Sequence, residues 1–120
     1  RLDCAVQGVN GDSLLLRGGG RIAADEIFWV TGAAAPSWPA ASGLGVDARG
    51  FIAVNAKLQS ISHPRVFAAG DVASMAQAPR PKSGVYAVRQ GPPLARNLRR
   101  ALRGKSLLDY RPRRRALALI

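Results

Sequence analysis

Up to Ser83 the apolar residues of this chain come only in short runs, among them CAVQGV, IFWV, FIAVN and VFAAG, set apart by glycine, proline and Asn-Gly signals. After Ser83 the pattern changes: Leu94, Ala95, Leu98, Ala101 and Leu102 recur at helical spacing with arginines opposite them. Short runs bounded by turn residues read as strands, and the later pattern reads as one amphipathic helix. Together they restrict the chain to a mixed α/β fold. Its 120 residues, 48% of them apolar, suffice for one ordinary core and hardly for two.

The strands have an order. Residues 3 to 30 read as a small antiparallel meander, because Asn10-Gly11 is a strong hairpin signal and Gly18-Gly19-Gly20 marks the next turn. IFWV, closed by Thr31-Gly32, is a continuous apolar run that suits a strand covered on both faces. Residues 33 to 50 read as a Gly/Pro-rich connection with one helical turn around Ala40 to Leu44. FIAVN and VFAAG, residues 51 to 55 and 66 to 70, read as two further strands, with a turn at His63-Pro64 between them. A proline-rich loop over 72 to 82 precedes the helix, for which Ser83 is the expected N-cap and Gly104 the stop. Gly91-Pro92-Pro93 is expected to kink or restart that helix, and ALALI at the end to form a last strand.

Several function classes are disfavoured. A net charge of +11 invites a nucleic-acid or acidic-partner binding module, but the arginines cluster late, from Arg96 to Arg115. They lack the aromatic interleaving of a base-stacking surface, so specific nucleic-acid binding is the alternative and not the first expectation. One cysteine, Cys4, and one histidine, His63, exclude an internal disulfide framework, make a metal site improbable and fit a reducing, cytoplasmic setting. No segment approaches the ~18 apolar residues of a membrane span. Trp29 and Trp38 read as core and loop anchors.

The order of the motifs resembles a known family. ADEIFWVTGAAAP, then GVDARGFIAVNAKLQSISHPRVFAAGDVA, then PKSGVYAVRQGPPLARNL are similar to the second half of the pyridine nucleotide-disulfide oxidoreductases, which carry two dinucleotide-binding domains. Gly32 and Asp71 stand 39 residues apart, and the helix that follows has small residues at Gly84 and Ala87. In its wording the helix most resembles the type II NADH dehydrogenases and the related flavoprotein fused to selenide, water dikinase.

The resemblance implies a fragment of a flavoprotein: 1–32 as the last strands of the NAD(P)H-binding domain, 33–105 as the carboxyl-terminal part of the FAD-binding domain, and 106–120 as a basic tail or the start of a further segment. It implies an oxidoreductase that passes hydride from NAD(P)H to FAD and electrons onward, with the isolated chain inactive. Thr31 and Gly32 mark the crossing between domains at the cofactor. Asp71 would accept from a ribityl hydroxyl of FAD, with Gly70 allowing close backbone approach. Ser83, Gly84, Val85 and Tyr86 would direct unpaired N–H groups and a helix dipole at the flavin.

Departures limit it. The quinone-side signature Ala-Gln-x-Ala-x-Gln-Gln is met here by Gly84 to Gln90, with only Ala87 and Gln90 retained, so no quinone acceptor is implied. No redox cysteine pair and no G-x-G-x-x-G opening a βαβ unit is present. Expected partners are therefore the preceding half of a parent chain, further copies of this one covering exposed sheet edges, and at most peripheral contact with a membrane.

Overall fold

The Asn10-Gly11 signal makes its hairpin, one residue out of the expected place. In the computed structural model, which describes residues 4–113, β1 (Val6–Asn10) and β2 (Ser13–Leu16) are antiparallel with Asn10 opposite Ser13, so Gly11 and Asp12 form the loop. Gly11 alone takes a positive φ, +58°, at the first central position, where a II′ turn requires glycine. The Ser13 hydroxyl closes the turn by donating to the Asn10 carbonyl at 2.9 Å. β3 (Arg21–Ala23) continues the meander, with Leu14 opposite Ile22.

The meander stops at Ala23, earlier than expected. IFWV forms no strand: Phe28 and Val30 are 85% and 92% exposed. A doubly covered strand needs neighbours on both edges, and none of the described strands pairs with this run. Trp29 and Trp38 are likewise mostly exposed and anchor no core.

The chain divides into two compact units, Arg1–Thr31 and Gly32–Ile120. In the second, α1 (Trp38–Ala41) replaces the turn expected at Ala40 to Leu44, because Pro39 suits the first turn of a helix and starts it earlier. β4 (Ile52–Val54) lies within FIAVN as expected. Its parallel partner does not lie in VFAAG: Phe67 makes a single bridge to Gln59, and the partner is β5 (Ala73–Met75) on the far side of Asp71. Gly70 explains the shift. Its φ of +72° breaks any strand running through it and opens a 3-10 turn, Gly70–Val72, from which β5 emerges.

Ile52, Val54, Leu58, Ala68, Ala73 and Met75 form the core of this unit. Leu58 is wholly buried at φ +61°, a strained conformation for a side-chain-bearing residue. It is held there by its N–H on the Asn55 carbonyl at 3.0 Å, while the Asn55 side-chain oxygen accepts the N–H groups of Lys57 and Gln59.

α2 (Gly84–Leu102) runs unbroken through Pro92 and Pro93. The missing N–H groups deprive the Val88 and Arg89 carbonyls of helical donors, and both residues are exposed to water, which can take their place. The helix ends as expected at Gly104 (φ +62°): Gly104 N–H donates to Ala101 and Lys105 N–H to Arg100, the two bonds of a Schellman motif. The chain then returns along the unit without regular structure. Tyr110 N–H donates to the Ala56 carbonyl at 2.7 Å, and Tyr110 packs against the core. ALALI lies outside the described residues.

Candidate active site

The 3-10 turn Gly70–Val72, the Pro79–Lys82 loop and the head of α2 enclose a cleft of about 250 Å³. Gly70, Asp71, Ser83 and Tyr86 line it, four of the residues singled out in the sequence. Asp71 is reached differently from the expectation: it sits exposed in the turn that leads into β5, not at the carboxyl end of a strand.

Gly70 joins the turn to the helix. Its N–H donates to the Gln90 side-chain oxygen at 2.5 Å, and a Cβ at Gly70 would lie 3.4 Å from that of Ala87. The left-handed backbone requires glycine, and Gln90, buried on α2, needs the bond it receives there.

The head of α2 carries unused donors. Ser83 occupies the N-cap position with extended backbone, as expected, but its hydroxyl makes no cap. Its carbonyl accepts the N–H groups of Tyr86 and Ala87, each at 3.1 Å. The N–H groups of Gly84 and Val85 have no acceptor among the described residues. Of the three expected backbone donors, Tyr86 is thus already engaged, and its ring is buried at the cleft wall. Gly84 and Val85 do not themselves line the cleft. Gly32 is exposed and outside the lining, while Thr31 closes the other unit, also exposed.

A polar cluster that the sequence reading missed completes the wall: the charged Asp47, Arg49 and Lys82, with Ser74. Burial pushes the Asp47 carboxyl upward, but the Ser74 hydroxyl, the N–H groups of Phe51 and Arg49, and the Lys82 charge outweigh it and hold it below its ordinary value. The two backbone bonds measure 3.0 and 2.9 Å. Lys82 donates to the Ala73 carbonyl and lies 3.9 Å over the Phe51 ring. Its pKa is lowered, chiefly by burial, with Arg49 adding to the effect and Asp47 and Asp71 opposing it. Two signals were available: Asp47 opens the polar, glycine-containing Asp47-Ala48-Arg49-Gly50 turn, where its side chain can accept the N–H two residues on as in an Asx turn, and Lys82 directly precedes the expected N-cap. Among the described residues no cluster of three metal-ligating side chains occurs.

A comparison with protein-family models matches residues 1–91 to the pyridine nucleotide-disulphide oxidoreductase family. The match spans well over half of the chain, and the chain belongs to that family. Its mixed α/β fold, with an antiparallel sheet, a parallel strand pair and one long helix, is the fold of part of a Rossmann-like flavoprotein. Membership suggests flavin-dependent oxidoreductase chemistry with pyridine nucleotides, and members of the family typically bind FAD and use NAD(P)H.

Proposed function

We propose that the chain is the carboxyl-terminal part of an FAD-dependent NAD(P)H oxidoreductase of the type II NADH dehydrogenase-like kind, related to the flavoprotein fused to selenide, water dikinase. Within it, 1–32 belongs to the NAD(P)H domain, 33–105 to the FAD domain, and 106–120 leads on from it. The observation that carries this reading is one cleft that brings the exposed carboxylate of Asp71 together with Ser83 and Tyr86 at the head of α2, beside a first turn whose Gly84 and Val85 N–H groups have no acceptor among the described residues.

That donor and acceptor set fits FAD. Its ribityl hydroxyls need an acceptor, and the pyrimidine edge of its ring needs donors. When bound, FAD supplies the two-electron acceptor for a nicotinamide hydride. Asp71 would hold a ribityl hydroxyl, and the head of α2, where the Gly84 and Val85 N–H groups are free of acceptors among the described residues, would offer its positive end to the ring. Gly70 and Gln90 keep the turn and helix together so that these groups face one ligand. Thr31 and Gly32 lie where the chain crosses from one domain to the other.

The reading places the protein in the cytoplasm, acting with the preceding half of its parent. The exposed arginines of α2 suit peripheral contact with an anionic membrane. The test is a titration of the purified chain with FAD, followed by flavin fluorescence. Saturable binding that weakens about tenfold in Asp71→Ala is expected. Binding that ignores Asp71→Ala overturns the assignment of this cleft.

A further inference from the structure

Lys82 occupies the position directly before the N-cap of α2, and two contacts hold its ammonium. It donates to the Ala73 carbonyl at the start of β5 and lies 3.9 Å above the Phe51 ring just before β4, while the carboxylates of Asp47 and Asp71 attract it without an ion-pair contact. The cation–π contact depends on the charge, and the hydrogen bond is made stronger by it.

The head of α2 needs such an anchor. Ser83 provides no side-chain cap, so the first turn does not fix its own direction. Pro79 and Pro81 have no N–H with which to tie the preceding loop down. Of the other tethers near this end, Gln90 on Gly70 acts beyond the first turn, and Arg80 ties the loop to the carbonyls of Pro112 and Arg113, leaving its attachment to β5 and Phe51 to Lys82.

We propose that Lys82 is the positioning residue of the cleft: its ammonium clamps the Pro79–Lys82 loop to β5 and Phe51, and thereby aims the first turn of α2 at the space beside Asp71. The consequence for flavin rests on the proposed function; the clamp itself does not. Burial lowers the pKa of Lys82, so the surroundings disfavour its charge on balance. A cation kept under those conditions sets geometry more than it adds stability. Removing it therefore loosens the helix head without unfolding the unit.

The test uses Lys82→Met and Lys82→Arg in the chain without FAD, read by NMR hydrogen exchange. The amides of Tyr86 and Ala87, which close the first turn on the Ser83 carbonyl, report the helix head. In Lys82→Met they are expected to exchange about tenfold faster, while the amides of β4 and the Gly70 amide keep their rates. Lys82→Arg retains a charged donor and is expected to restore much of the protection. Unchanged exchange at Tyr86 and Ala87 overturns the proposal. So does faster exchange spread equally over β4 and β5, which marks a general structural role.

A parallel FAD titration is expected to show affinity about tenfold lower in Lys82→Met and recovered in part by Lys82→Arg. Equal FAD affinity in Lys82→Met and wild type overturns the positioning role even where the helix head loosens. If the wild-type chain takes up no FAD, the flavin reading falls, and the exchange rates alone decide whether Lys82 is the clamp.

Discussion

Asn97 faces the core from α2 and is 1% exposed, a place where an apolar side chain is usual. It earns the position by bonding: its amide donates to the Lys57 and Leu108 carbonyls at 2.8 Å each, and its oxygen accepts the Leu108 N–H at 2.9 Å. Asn97→Ala is expected to cost about 2–4 kcal/mol in urea unfolding, because it strands buried backbone groups as well as losing bonds. Asp47 gives a pH dependence. Its folded pKa is depressed, so its contribution is present above the usual carboxylate range and is lost as pH falls through the folded value. Partial exposure limits the effect to less than about 1 kcal/mol. Unfolding curves of wild type and Asp47→Ala should thus differ at neutral pH and converge in acid. Gly70, Asp71, Ser83 and Tyr86, all singled out in the sequence, line one cleft. Asp47 and Lys82 were not legible there, because the bonds that place them run to β5 and Phe51, and no local pattern encodes those partners.

At the scale of elements, α2 carries two prolines that an isolated helix would not tolerate. Pro92 is exposed, so Pro92→Ala restores a donor to the Val88 carbonyl without disturbing packing. Stability is expected to rise by roughly 1–3 kcal/mol, readable as a higher denaturant midpoint. A fall would mean that the ring itself packs against something essential. The helix, its Gly104 stop and the His63-Pro64 turn were readable because each has a local cause in sequence. The parallel pair was readable only in half. VFAAG has the composition of a strand, yet Ala68 N–H goes to the Leu58 carbonyl and Gly70 turns the chain, so the pairing segment is the less apolar Ala73–Met75. Strand composition reports burial, and burial without a ladder partner is not a strand.

The two units differ in kind when each is taken as a whole. Unit Gly32–Ile120 has a buried apolar core, whereas among the described residues of Arg1–Thr31 only Ser13 is buried. A three-stranded meander without a buried face is marginal, and Phe28, Trp29 and Val30 add exposed apolar surface to it. Self-association of the chain is expected, and Phe28→Ser with Val30→Thr should reduce it in sedimentation velocity; an equally associated double variant would point away from this run. IFWV was misread for the same reason at this scale, since its pattern describes a strand with neighbours that the described residues do not contain. The returning segment Lys105–Arg113 has a practical side. Arg80 donates to the carbonyls of Pro112 and Arg113, Asn97 holds Leu108, and Tyr110 is stitched to Ala56. A fusion joint or stop codon placed at Gly104, where the last helix ends and a gene designer would be tempted to cut, severs all of these ties at once; a shortened gene has to carry the message past Arg113.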